Sequence, residues 1–342
     1  MNLPRIFLAK IGGKVGSVEV TAEELGEKFG TKPRAIQATT GVTKLFRFGP
    51  DESLVGISVM VARDVLARAG LDLGRVDGVF ASSNPTTKTL MPGYATQVAS
   101  ELGLRYVLAD QIGMGCGGGM QALRAAYDRL VVDSLHGKTS NYLVFAGDAV
   151  SVILNDKDRN TGLLFSEGVS VLLVTNDIDF GQNSYEITKI NTMSVLGDGI
   201  NMMRVMNEFH SDTDRGQRDQ NCFTMDGKGV AQFGMGMIPC FLKLVEEEMF
   251  GENWMLFPHQ PNLRMLEEMA RFGNVPLNQV YTNGIKTIGN ASVAAAFLGL
   301  EDGLQSNLFD RRCTVLLGAF GAELTVGAAL LRPVGDPIEV VL

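Results

Sequence analysis

Short apolar runs alternate along this chain with longer segments whose apolar residues recur every three or four positions, and that alternation fixes the class of fold. Asp77-Gly-Val-Phe-Ala-Ser82 and Tyr142–Ala146 read as buried strands, with a third strand at Tyr106–Ala109. Helices fit Tyr94–Leu102 and a stretch from about Gly118 to Leu135. Strands that take turns with helices in this way predict an α/β protein, a sheet covered by helices. Nearer the start, Val18 to Val20 gives way to Thr21-Ala-Glu-Glu24, a Thr-x-x-Glu capping box that opens a short helix ending near Gly30. Residues 55–70 carry Val55, Val59, Val61, Val65 and Leu66 at helical spacing and stop at Gly70.

After residue 180 the alternation resumes. It predicts a helix at about 228–249, a strand at Trp254–Phe257, helices at 261–272 and 291–299, and a strand at Thr314–Gly318. A chain of 342 residues is long enough for two core-forming units. The pattern divides it into halves, residues 1–180 and 181–342, between which no sequence repeat is visible. The stretch 195–222 is the least patterned and is predicted to be a long surface excursion.

Composition narrows the function. Apolar residues make up 45% and charged residues 20%, which excludes a disordered chain, and no run of about 18 apolar residues is present to cross a membrane. No signal-peptide apolar region follows Arg5 and Lys10, so a cytoplasmic location is expected. A net charge of −8 without a Lys/Arg block argues against a nucleic-acid partner. Cys116, Cys222, Cys240 and Cys313 form no CxxC pair, so neither a disulfide framework nor a zinc ribbon is suggested, and no metal site is expected. The 40 glycines are about 12% of the chain, against roughly 7% in average proteins. They cluster in apolar segments, which points to close backbone approaches inside a packed fold.

The densest cluster, Gly113-Met-Gly-Cys-Gly-Gly-Gly119, lies between a strand and a helix and allows two readings. Gly113, Gly115 and Gly118 satisfy the G-x-G-x-x-G template of dinucleotide binding, with Asp133 as the acidic partner. The unit starts past residue 100, however, and Asp133 falls inside the helix rather than after the next strand. The other reading centres on Cys116, a thiol on a tight turn before a helix with an apolar stripe of Met120, Leu123, Ala126, Tyr127 and Leu130. Free N–H groups at a helix start stabilise a thiolate and so favour a nucleophile. A small buried thiol is the bland alternative.

Three further segments bear on that choice. Of three histidines, His136 and His210 sit in polar surroundings, whereas His259 follows the apolar strand and Pro258, at a strand end where the active groups of α/β sheets collect, and fits either a packed core histidine or a catalytic one. Asn290 in Thr287-Ile-Gly-Asn-Ala-Ser292 fits a helix cap, and equally an amide donor beside the imidazole. Gly318-Ala-Phe-Gly-Ala-Glu-Leu-Thr-Val-Gly327 again follows a strand, with close turns that can aim a backbone N–H into the same cleft.

In chain order these segments resemble the β-ketoacyl-acyl-carrier-protein synthase III family of thiolase-fold condensing enzymes. The likeness rests on Thr40-Gly-Val42, the strand–Cys116–helix unit, Phe165-Ser-Glu-Gly168, Phe223-Thr-Met-Asp-Gly227, Pro258-His-Gln-Pro-Asn-Leu-Arg264, Gly289-Asn-Ala-Ser292 and Phe320-Gly-Ala-Glu-Leu-Thr-Val-Gly327. The resemblance implies a five-layered α-β-α-β-α fold built from two similar halves, usually in a homodimer. It implies a catalytic triad of Cys116, His259 and Asn290, and oxyanion amides from Cys116 and Ala322. Met91 and Phe320 would wall the substrate pocket, and Arg264 would meet an acidic carrier protein.

The activity implied is acyl transfer from acyl-CoA or acyl-carrier-protein thioesters to Cys116, then condensation with a malonyl-type thioester or transfer to another acceptor, with no metal or redox cofactor. The chain departs from the family where a Trp and an Arg commonly clamp the nucleotide, holding Ala35 and Thr39 instead. Ala291 replaces a usual Thr, Glu167 stands near a usual Gly-Asp pair, and Ala322-Glu323 replaces two glycines. These departures lean toward a specialised fatty-acid or polyketide-type pathway. A partner subunit with the same fold and no chemistry is the second hypothesis, and a nucleotide-binding oxidoreductase the third.

Overall fold

Among the described residues nine strands pair side by side into one continuous sheet, and the order in which they pair shows a duplication that no sequence repeat reveals. The computed structural model describes residues 4–335 except 85, 88–90, 114, 156, 182–183, 196–202, 206–222, 246–252, 307 and 322–323. The sheet strands are β1 (Phe7–Val15), β2 (Gly78–Ser82), β3 (Leu108–Gln111), β4 (Asn141–Asp148), β5 (Gly168–Thr175), β6 (Ser184–Ser194), β7 (Trp254–Pro258), β8 (Thr314–Phe320) and β9 (Thr325–Val334). Their order across the sheet is β7-β8-β9-β6-β1-β5-β4-β2-β3.

Within the first half β1 runs antiparallel to β5, β5 antiparallel to β4, and β4, β2 and β3 run parallel. The second half repeats the scheme, with β6 antiparallel to β9, β9 antiparallel to β8, and β8 parallel to β7. Even the edge is echoed, because Leu256 of β7 makes a lone parallel bridge to Val280 where β2 pairs with β3. The halves join through β1 and β6, where Phe7 faces Glu186 and Leu8 faces Tyr185.

Helices fill three layers around this sheet. Helices α1 (Leu54–Ala69) and α2 (Tyr94–Leu102) cover the outside of the first half, and α4 (Met237–Val245) with α5 (Leu263–Phe272) the outside of the second. Helices α3 (Gly118–Leu135) and α6 (Ala295–Ser306) lie between the halves and touch strands of both. The sequence sorts them. Helix α5 buries only Met265, Leu266, Met269 and Ala270, one face, whereas α6 buries residues on every face from Ala295 to Leu304. A helix apolar all round belongs in a core. The result is the expected five-layered α-β-α-β-α arrangement.

Several predicted elements fall where expected. The Thr21 capping box forms both of its hydrogen bonds, to and from Glu24, and Gly30 ends the helix with φ 61°. Two readings need correction. The helix placed at 228–249 is two helices, Gly227–Met235 and α4, with Gly236 between them. The third strand begins at Leu108 rather than Tyr106, which adopts φ 59° and is fully exposed. The excursion at 195–222 lies mostly outside the described residues. Among the described residues no helix is long and apolar enough to cross a membrane.

The central layer is held by glycine. A Cβ on Gly119 would sit 2.7 Å from the Val293 carbonyl oxygen and 3.0 Å from Phe297 Cε2. The variant Gly119→Ala is therefore expected to lose roughly 1–3 kcal/mol through overpacking. Urea unfolding monitored by circular dichroism measures that loss.

Candidate active site

Cys116 reaches the molecule's centre on a turn with little freedom to be anything else. Gly115 adopts φ 65°, and its N–H donates to Asn84 Oδ1 at 2.9 Å. Gly117, on the other side of the thiol, has its missing Cβ position 2.3 Å from Thr325 Oγ1. The turn is thus pressed between the end of β2 and the start of β9, and the thiol is carried from the first half into contact with the second. Cys116 is 7% exposed.

His259 follows β7 directly, and its N–H donates to the Gly318 carbonyl at 2.7 Å, extending the β7–β8 ladder by one bond. Gln260 stitches the loop by donating to Pro258 and Tyr281 carbonyls and accepting from the Ile285 N–H. Asn262 caps α5 through the Met265 N–H. In the Pro-His-Gln-Pro-Asn-Leu-Arg run, then, the neighbours hold the backbone and the imidazole is left to the interior. It packs edge-on against Phe320, ring centres 5.5 Å apart. Among the described residues Nδ1 is buried without a hydrogen-bond partner, and none of their carboxylates stands behind this histidine. Burial pushes its pKa down to about 3, which keeps the ring neutral.

Asn290 forms an isolated parallel bridge with Phe165, accepting from the Ser166 N–H at 2.8 Å and donating to the Leu164 carbonyl at 3.0 Å. Its Oδ1 accepts the Ser292 N–H at 3.0 Å. With the oxygen turned back on the chain, the amide NH2 is the end that faces outward. Ser166 supports this loop from below, its hydroxyl donating to the Ile288 carbonyl and accepting from the Phe46 N–H.

Cys116, His259 and Asn290 all line one cavity of about 540 Å³. Its walls include Phe165, Phe233, Met265, Phe320 and Leu324, and exposed Thr39, Arg159 and Lys228 mark the open end. An apolar chamber with a thiol, a neutral imidazole and an amide at its buried end, and two cations at its open end, suits an acyl chain on an anionic carrier. Of the remaining candidates, Phe320 is on the wall. Met91 is not: it is 87% exposed on the segment before α2 and does not wall the pocket of its own chain. Arg264 is exposed on the outer face of α5. Ala322 and Glu323 lie outside the described residues, as do His210 and Cys222. Ala35 is exposed and off the cavity, whereas Thr39 is exposed on its lining.

Asp133 disposes of the dinucleotide reading. It accepts a hydrogen bond from the Tyr142 hydroxyl at 2.7 Å and pairs with Arg129, near the far end of α3, about 25 Å from the glycine turn by helix rise. Among the described residues no cluster of three His, Cys, Asp or Glu is arranged to hold a metal.

The sequence reading missed a polar network behind the thiol. Ser292 Oγ lies 3.8 Å from Cys116 Sγ, accepts from Asn84 Nδ2 at 3.1 Å, and is hydrogen-bonded to the fully buried carboxylate of Asp148. These residues come from four separate segments and share no motif. The positive φ of Ser292, 51°, is a structural signal that the sequence does not carry.

A buried thiol, a neutral imidazole and an asparagine amide are thus brought to one cavity between two like halves. A family model described as 3-oxoacyl-[acyl-carrier-protein] synthase III C terminal matches residues 253–333. The chain is 27% identical over 334 residues, 96% of either protein, to the β-ketoacyl-[acyl-carrier-protein] synthase III of Prochlorococcus marinus strain MIT 9313. It superposes on the 3-oxoacyl-(acyl carrier protein) synthase III of Pseudomonas aeruginosa PAO1 with TM-score 0.84 at 24% identity, covering 99% of this chain and 100% of that one. The priming β-ketosynthase of the R1128 polyketide pathway gives TM-score 0.84 at 22% identity, covering 98% and 99%. The chain is thus similar over nearly its whole length to β-ketoacyl-[acyl-carrier-protein] synthase III proteins and shares their fold.

The neutral state of His259 has a measurable sign. Below about pH 6.5 the unfolded chain binds a proton at this residue and the folded chain does not. Stability therefore falls with pH through that window, and falls less steeply in His259→Gln. Urea unfolding of both proteins between about pH 7 and pH 4.5 reads the difference.

Proposed function

We infer that the protein takes an acyl group from an acyl-CoA or acyl-carrier-protein thioester onto Cys116 and joins it to a malonyl-type thioester by decarboxylative Claisen condensation. The observation that carries this reading is the shared cavity of Cys116, His259 and Asn290 with an imidazole that stays neutral. In the first half-reaction the sulfur attacks the thioester carbonyl, and the oxyanion is held by backbone N–H groups assigned to Cys116 and Ala322. One such donor is worth about 3–4 kcal/mol. In the second, His259 and Asn290 donate to the extender's thioester carbonyl and stabilise the enolate that loss of carbon dioxide leaves. That carbanion attacks the acyl-Cys116 carbonyl and releases the thiolate.

Transfer to an alcohol or amine would instead need His259 as a general base. An imidazole whose conjugate acid has a pKa of about 3 is a weak proton acceptor and a serviceable hydrogen-bond donor, which favours carbon–carbon bond formation. Arg159 and Lys228 suit the phosphates of a carrier arm, and Arg264 an acidic carrier protein. The missing Trp and Arg of the nucleotide clamp favour a specialised fatty-acid or polyketide-type pathway. A homodimer in the cytoplasm completes the proposal.

Incubation with a panel of acyl-CoA and acyl-carrier thioesters, followed by intact mass measurement, is expected to show one acyl group on the wild type and none on Cys116→Ala. His259→Gln and Asn290→Ala are expected to acylate normally and to condense about 10²–10⁴-fold more slowly. No adduct with any donor would return the chain to the class of non-catalytic partner subunits. Arg159→Ala with Lys228→Ala is expected to raise KM about tenfold while leaving kcat within a factor of about two, as loss of uniform binding does.

A further inference from the structure

The family reading leaves the fate of the Cys116 proton open, and His259 is a poor destination for it. Behind the thiol lies a different path. The Asp148 carboxylate, fully buried, accepts from the Asn84 N–H at 2.8 Å, Asn84 Nδ2 at 2.8 Å, the Ser83 hydroxyl at 3.1 Å and the Thr86 hydroxyl at 3.3 Å. Ser292 is bonded to it as well. Every one of these partners is neutral.

The hydrogens in this network have a direction. An ionised carboxylate only accepts and an amide NH2 only donates, so Ser292 Oγ receives Asn84 Nδ2 and sends its own hydrogen to Asp148. The remaining acceptor capacity of Ser292 Oγ lies 3.8 Å from Cys116 Sγ. Asn84 fixes both ends, because its Oδ1 also holds the Gly115 N–H of the thiol turn. Ser292 is kept at φ 51°, a conformation that costs an L residue about 1 kcal/mol or more and persists where the surroundings impose it.

We propose that Ser292 and Asp148 take the proton of Cys116, so that Ser292 is a further catalytic residue and Asp148, acting through it, a positioning and proton-holding residue. This rests on the acyl-transfer reading of the same site. The step balances without a co-reactant. The S–H bond breaks and sulfur keeps the electron pair. Ser292 Oγ gains that proton while its own passes to Asp148. When the thioester exchanges, the departing thiolate takes the proton back along the same path. One negative charge is buried in the wall before and after, so activating the sulfur moves a charge and adds none. Burial, opposed by the hydrogen bonds, already lifts the Asp148 carboxyl above its ordinary range, which makes it a better acceptor.

The groups that face this pair are few among the described residues. His259, Arg159 and Lys228 share the cavity with Cys116, and Tyr94 is the titratable neighbour of Asp148. A coupled thiol and carboxylate that share one proton hold a constant fraction of thiolate between their two macroscopic pKa values. A lone thiol loses thiolate about tenfold per pH unit below its pKa.

Alkylation of Cys116 by iodoacetamide, followed by peptide mass spectrometry from pH 5 to pH 9, separates these cases without any acyl substrate. The expected result is a rate plateau in the wild type that persists in His259→Gln. In Ser292→Gly and Asp148→Asn the plateau is lost and the rate falls about tenfold per pH unit. Glycine relieves the positive φ but removes a hydrogen bond to the buried Asp148 carboxylate, so the melt of Ser292→Gly is recorded alongside and rates are compared at a temperature where both proteins are folded. A wild type without a plateau, a plateau that survives Ser292→Gly, or a plateau abolished in His259→Gln overturns the proposal. A plateau in a wild type that accepts no acyl group would instead sink the acyl-transfer reading and leave the proton path standing.

Discussion

A side chain on Gly117 would collide with Thr325, and one on Gly119 with the Val293 carbonyl; the site exists because neither has one. That close approach lets the turn after β3 enter the opposite half of the molecule. The thiol then stands beside an imidazole and an amide that the second half contributes. Relax the approach by the width of a methyl group and α3 must withdraw from the loop of residues 292–294, taking Cys116 away from Ser292.

The duplicated topology explains why these particular positions meet at one cavity. Cys116 follows β3 on the way into α3, and Asn290 follows the Val280 bridge on the way into α6, so the two are counterparts. The counterpart of His259, one residue past β7, is Ser83, one residue past β2, and Ser83 is bonded to Asp148. One half therefore supplies the thiol with a carboxylate network behind it, and the other a neutral imidazole and an amide. Charge is kept on the thiol's side and neutral hydrogen-bonding groups on the other, the division that the proposed condensation requires. Burial enforces the division by holding His259 neutral.

Much of the fold was legible because it is written in local rules. Tyr94–Leu102 and Gly118–Leu135 show helical periodicity between clear boundaries, and the capping box at Thr21 forms as the side chains dictate. The two similar halves were expected only through the family resemblance, since no sequence repeat is visible and the duplication lies in which strands pair. Strand β1 escaped notice because Gly12 and Gly13 interrupt its pattern, and both are required by packing, against Val65 and Leu298. At the site, Cys116, His259 and Asn290 were marked by unusual local settings. Asn84, Asp148 and Ser292 were not, because a buried polar network is assembled by the tertiary fold from residues that look ordinary in their own segments.

The central claim is that a thiol from the first half and an imidazole from the second share one chamber. The direct measurement is a cross-link: His259→Cys treated with dibromobimane, which turns fluorescent when it bridges two neighbouring thiols, and mapped by peptide mass spectrometry. The account predicts a bridge between positions 116 and 259 in the folded protein, abolished by adding Cys116→Ala. Single, unbridged labelling of the two positions would contradict it.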